Sequence, residues 1–153
     1  MAKSIILLTA ILIAMMVQVA YPCSCADVVT VATALEKSQA VFRGFVTSIE
    51  PDPSVPHFLR VTFRVTGYWK GPVKQTYSIL TYESTAACGY GFLVGTEFLV
   101  YAYPSELGDP VTGACTRNRP IFLAAQDLKE LGPATIPPQQ ITWGALKHHA
   151  AVI

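Results

Sequence analysis

The placement of four cysteines, Cys23, Cys25, Cys88 and Cys115, constrains this chain more than any other feature. An even number of cysteines in an oxidising compartment reads as a disulfide framework, so two bridges are expected. Of the three possible pairings, the one that joins Cys23 to Cys25 is disfavoured. Residues two apart on an extended chain point the same way, at a separation a disulfide does not readily span. In either remaining pairing both N-terminal cysteines reach into the body of the chain. Closing loops of that size stabilises the fold by about 4 kcal/mol each in the chain-entropy model. A metal or redox role for Cys23-Ser24-Cys25 is disfavoured, because zinc pairs favour roughly two to four intervening residues and redox dithiols favour two.

The oxidising compartment is itself legible at the N-terminus. Lys3 precedes an uncharged run from Ser4 to Ala20, the pattern of a secretory signal and short for a membrane anchor. Residues 1–20 therefore read as a signal peptide whose cleavage could extend to 22, and the product as secreted, with no membrane association after cleavage. Losing Lys3 reduces the 11 basic residues to 10, equal to the 10 acidic ones. A neutral domain lacks the clustered Lys and Arg that nucleic acid or an anionic membrane requires, so neither is expected as a partner. About 130 residues remain, enough for one core. Only 14% of the chain is charged, against about 25% in typical soluble proteins. Such a surface leans on uncharged polar groups and on covalent staples.

Local patterns predict mostly strands. Asp27 can cap a short helix with Val28, Val31, Ala32 and Leu35 on one face. Residues 40–49 read as a strand interrupted by Gly44, which marks a bulge or bend. Pro51, Pro53 and Pro56 then form a loop. Leu59, Val61, Phe63 and Val65 alternate with Arg60, Thr62, Arg64 and Thr66, which gives one buried and one wet face. Trp69-Lys70-Gly71-Pro72 ends that strand. Residues 76–82 and 97–103 have the β-branched and aromatic content of two more strands, and residues 111–115 can make a fifth. Gly108-Asp109-Pro110 joins the last two. Pro120 opens a final helix whose apolar stripe is Ile121, Ala124, Ala125, Leu128 and Leu131, stopped by Gly132-Pro133. Five short strands with helices beside them match an all-β fold of the five-stranded oligonucleotide/oligosaccharide-binding (OB) barrel class, with a sandwich as the alternative. Residues 133–153, with Trp143, His148 and His149, read as a loosely held tail.

Cys23-Ser24-Cys25 at the start of the expected mature chain, followed far downstream by Cys88-Gly89-Tyr90, resembles the N-terminal, netrin-like domain of the tissue inhibitors of metalloproteinases. Val41-Phe42-Arg43-Gly44-Phe45-Val46 is similar to that family's first strand, Tyr68-Trp69-Lys70-Gly71 to its aromatic turn, and Cys115-Thr116 to its next cysteine. The resemblance covers residues 23–132. It implies an OB barrel, a bridge from Cys23 to Cys88 and another from Cys25 to Cys115. Two departures stand out: the third disulfide of that domain has no cysteines here, and the family's cysteine-rich second domain has no counterpart.

The resemblance also implies a function, inhibition of zinc metalloendopeptidases, with a monomer, no cofactor and no enzymatic activity of its own. A catalytic zinc keeps one coordination position open, which an inhibitor must fill. In the family the free amine and carbonyl of the first cysteine chelate that zinc, and the next side chain enters the substrate pocket. Those parts map to Cys23 and Ser24, with Cys25, Ala86, Ala87 and Cys88 as neighbouring protease contacts. An α-amino group titrates near pH 8, so about a tenth or more is neutral at physiological pH, and metal binding displaces the remaining proton. A bridge at Cys23 holds the terminus rigid and lowers the ordering cost of binding.

Tyr21-Pro22 stands in the way. Small residues are favoured before a signal cleavage site, so cutting after Ala20 is expected, and Cys23 nitrogen is then an amide that cannot ligate zinc. Removal of Tyr21-Pro22 by an X-Pro dipeptidyl peptidase would expose the amine. The alternative is a non-inhibitory, extracellular netrin-like protein-binding module. His57, in a proline-rich loop, and His148-His149 sit near no nucleophile motif, so no catalytic site is spelled out. Arg60, Arg64, Lys70 and Lys74 read as the wet face of a strand and its turn. Trp69, Tyr77, Phe98 and Tyr101 read as core, and Gly89 and Gly91 as places where the chain turns. The sole asparagine, Asn118, precedes Arg119-Pro120, so no N-glycosylation site is expected.

Overall fold

The computed structural model describes residues 23–25 and 29–138. The signal-peptide reading, Asp27, Val28, Trp143, His148 and His149 all lie outside the described residues. The described residues build one antiparallel five-stranded sheet, two short α-helices and two disulfides. In chain order the elements are α1 (Val31–Lys37), β1 (Ala40–Pro51), β2 (Phe58–Lys70), β3 (Thr76–Tyr82), β4 (Glu97–Ala102), β5 (Arg119–Pro120) and α2 (Ala125–Leu131). Strand order across the sheet is β3-β2-β1-β4-β5.

β2 follows its alternation: Val61, Phe63 and Val65 are buried, whereas Arg64 between them is exposed. β4 is different, because its residues from Phe98 to Ala102 are all buried. Phe98, Val100 and Ala102 join one cluster with Phe42, Phe63, Tyr77 and Phe92. Leu99 and Tyr101 join a second with Val41, Ala34 of α1 and Ala124. A strand covered on both faces needs a continuous apolar run, and Phe-Leu-Val-Tyr-Ala supplies it. Tyr77, Phe98 and Tyr101 are thus core, and Trp69 donates its indole N–H to Gly132 O at 2.8 Å.

Gly44 sits at a register shift between β1 and β2, where a Cβ would stand 2.7 Å from Arg64 O. The absence of a side chain is what lets the two backbones approach.

Several boundaries differ from the sequence reading. Helix α1 starts at Val31 and is capped by Thr30, whose Oγ1 accepts from Thr33 N at 3.2 Å; Ala32 is exposed. Lys70 supplies the other end, donating to Leu35 O and Glu36 O at 2.9 and 2.7 Å. A lysine at the last turn satisfies carbonyls the helix cannot bond itself. Pro120 closes β5 instead of opening a helix: residues 121–123 form a 3-10 turn and α2 starts at Ala125, which is exposed. Residues 111–115 do not form the fifth strand, a place taken by Arg119–Pro120. Only Val111 pairs, with Tyr103 on one side and Leu80 of β3 on the other. The segment after α2 is not loose at its start, since Thr135 exchanges two 2.9 Å hydrogen bonds with Tyr68.

Candidate functional site

Disulfides join Cys23 to Cys88 and Cys25 to Cys115, with Cα separations of 5.6 and 5.3 Å. They bring three segments that are far apart in sequence to one surface: residues 23–25, 84–88 and 113–116. Ser24, Cys25, Ala86, Ala87, Cys88 and Cys115 are exposed there, and Cys23 is half-buried. Every one of the sequence-derived site residues therefore lies on this ridge.

Local backbone bonds shape the middle segment. Ser84 Oγ accepts from Ala87 N at 3.2 Å, and Ser84 O accepts from Gly89 N at 2.9 Å, which winds Thr85–Ala87 into a 3-10 turn. Cys88 leaves the turn in the left-handed region, at φ 65°. That conformation costs a non-glycine residue about 1 kcal/mol or more, and the bridge to Cys23 and the bond from Ala114 N to Cys88 O, at 2.8 Å, hold it. Glycines make room on both sides. A Cβ on Gly89 would sit 2.1 Å from Tyr82 O, and one on Gly113 would sit 2.7 Å from Cys88 O. Gly89 thus answers to a close backbone approach, whereas a Cβ on Gly91 would meet nothing within 4 Å.

Cys23 Sγ lies 3.7 Å from Thr85 O. A bridged sulfur carries no proton, so this is a packing contact. The ridge itself, residues 23–25, 84–88 and 113–116, contains no charged side chain. The nearest charges in sequence are Glu83 and Arg117. Glu83 Oε1 is 2.9 Å from His57 Nδ1, and its N–H bonds His57 O at 3.1 Å, which ties the β1–β2 loop to the base of the ridge. Beside the ridge runs a groove lined by Phe58, Tyr82, Pro104, Leu107, Val111 and Ala114.

Behind Cys115 lies a buried polar anchor that the sequence reading missed. Asp127, fully buried, receives two bonds from Arg117, Nε to Oδ1 at 3.0 Å and a terminal nitrogen to Oδ2 at 2.8 Å. The other terminal nitrogen of Arg117 bonds Val29 O at 2.6 Å. Tyr101 donates its hydroxyl to Asp127 Oδ1 at 3.3 Å, and burial, with the negative Asp127 beside it, holds the phenol well above the ordinary tyrosine range. Asn118 Oδ1 accepts from Tyr101 N at 2.8 Å while its Nδ2 donates to Thr112 Oγ1. A signal for Asp127 was present: it falls three residues after Ala124 and four before Leu131, on the buried side of α2. A carboxylate there demands a buried cation.

A second ionic group ties the β1–β2 loop to the loop that precedes Val111. Asp52 Oδ1 accepts from Ser54 N and Val55 N, each at 2.9 Å, and Oδ2 from Arg60 Nε at 2.8 Å. Those amide bonds, led by Ser54, with Arg60 in support, hold the Asp52 carboxyl below its usual range. Arg60 also reaches Asp109 at 2.8 Å, and the pair raises the guanidinium. Arg60 thus links two loops and is not simply a solvated charge. Arg64 lies over the Phe45 ring at 4.9 Å.

No protein-family model matches this chain, and no curated protein matches it either. Among the described residues no helix is long and apolar enough to cross a membrane. With two disulfides, that is compatible with an extracellular protein.

Proposed function

We propose that this protein is a secreted inhibitor of zinc metalloendopeptidases, acting through the Cys23 end of the bridged ridge. The observation that carries the reading is that the Cys23–Cys88 bridge holds Ser24 exposed beside the exposed turn Thr85–Ala87. With Cys23 as the first residue, its amine and carbonyl oxygen would fill the open position on the protease zinc. Ser24 would enter the substrate pocket, and Ala86 and Ala87 would pack beside it. An uncharged, covalently fixed ridge loses little conformational entropy on docking and presents few groups that are costly to desolvate.

The scaffold reading that goes with this function is a closed OB barrel of the netrin-like type. Its support is the pairing of Val111: Tyr103 and Val111 exchange bonds at 2.8 and 2.9 Å, while Leu80 bonds Pro110 O and Thr112 N, both at 2.8 Å. A short segment that pairs with both the exit of β4 and β3 is the kind of link a closed barrel would use.

The two residues before Cys23 favour a second reading, a netrin-like binding module without inhibition, because a retained Tyr21-Pro22 leaves no amine at Cys23. Intact mass and N-terminal sequence of the secreted, disulfide-intact protein, with titration against a zinc metalloendopeptidase, separate the two. A Cys23 terminus with stoichiometric inhibition is expected from the first reading. A Tyr21 terminus without inhibition supports the second.

A further inference from the structure

We propose that the edge of β3 over residues 76–78, which has no backbone partner among the described residues, is a second interaction site, one that takes an extended peptide segment of a partner protein by strand addition. The inference is independent of the inhibitory reading, since this end of β3 lies away from the bridged ridge.

Alternate residues of an antiparallel strand direct their N–H and C=O to opposite neighbours. Gln75 O accepts from Val65 N of β2 at 2.8 Å, and Glu83 N bonds His57 O just beyond the other end of β2. The odd-numbered positions of β3 therefore face β2. Leu80, an even one, bonds in the other direction, to Pro110 O and Thr112 N. By the same parity the backbone groups of Thr76 and Ser78 also face away from β2, and among the described residues they have no backbone partner.

The segment at Pro110 covers the edge only as far as Leu80. Gly108, at φ 90°, turns the chain aside before it reaches Ser78. What remains is a polar groove lined by Gln39, Lys74, Thr76, Ser78, Gly108 and Asp109. Unmet donors and acceptors at strand spacing are satisfied by another extended backbone, and the pairing of Leu80 shows that the same edge already takes one. Arg60 is neutralised by Asp52 and Asp109, whereas Lys74 has no acidic partner among the described residues and lies 5.8 Å over the Tyr77 ring. The occupant is thus an extended, β-prone peptide with an acidic side chain at the end that meets Lys74.

The test uses the full secreted chain and the synthetic peptide Ac-Glu-Val-Thr-Val-Thr-NH2, followed by amide chemical shifts and hydrogen exchange. Shifts and slowed exchange at Thr76 and Ser78 are expected. A peptide N-methylated at alternate amides should bind at least tenfold more weakly, and Lys74→Glu should cost several-fold. Equal binding by the N-methylated peptide, or no response at millimolar peptide, would overturn the proposal. So would strong protection of Thr76 and Ser78 without peptide that disappears in a chain ending at Pro138, because the edge would then belong to the chain itself. Lys74 is exposed, so its variant is expected to fold.

Discussion

The bridged ridge and the Arg117–Asp127 anchor hold the same short stretch of chain by opposite means. At the ridge, Cys23 and Cys25 are fixed covalently, among exposed and uncharged residues. Four residues further on, Val29 O is fixed by a guanidinium whose charge is matched inside the protein by a fully buried carboxylate. A segment with little apolar surface to bury cannot be held by packing, so disulfides do it at the surface. Where the chain enters the interior, desolvated charge becomes the restraint, and it holds only while both partners are present. The site gains rigidity from the first device and its foundation from the second.

That contrast predicts that the buried device is the more fragile. Asp127→Ala leaves Arg117 facing a dry cavity and is expected to cost about 3–5 kcal/mol, read by chemical denaturation. The double change Arg117→Met with Asp127→Leu should recover most of that loss. Replacing Cys25 and Cys115 together by Ala should cost about 2–4 kcal/mol and leave the described sheet intact by circular dichroism. Equal losses from the two experiments would erase the distinction drawn above.

Smaller changes sharpen the comparison. Gly89→Ala places a methyl against Tyr82 O and should cost about 1–3 kcal/mol, while Gly91→Ala, in open space, should be nearly neutral. If both are neutral, the turn before β4 is looser than its bonds indicate. The smallest effects are in pH. The folded Tyr101 phenol ionises above its ordinary value, so its contribution is complete below about pH 10 and declines as pH rises further. Asp52 ionises below its reference of 3.8, so its contribution is complete above that value and is lost as pH falls through the lowered one. Asp52→Asn should flatten the acid limb of a stability–pH profile, and Tyr101→Phe the alkaline limb.

Much of the sheet was legible because its periodicity is local. β2 could be read from alternation alone, and the bounds of β3 follow from its β-branched and aromatic run. What failed were places where a side chain competes with the ladder. Thr112 Oγ1 bonds Tyr101 O, and Cys115 is drawn to Cys25, so the pairing that Val111 begins does not extend into a strand over residues 111–115. Thr30 caps α1 through its Oγ1, a role the sequence reading gave to Asp27, three residues earlier. The ridge residues were legible as a set, but spacing left two disulfide pairings open, because contact between residues 65 and 90 positions apart is a property of the fold. Arg117 and Asp127 escaped notice since ten residues separate them and neither belongs to a motif.

The central claim is that a free amine at Cys23, held on this ridge, reaches the zinc of a metalloendopeptidase. Its most direct test compares the inhibition constants of two disulfide-intact proteins, one beginning at Cys23 and one with a single alanine added before it. Inhibition weaker by about a hundredfold or more in the extended chain, a loss of about 3 kcal/mol, is expected. Equal inhibition by both, or none by either, would contradict the claim.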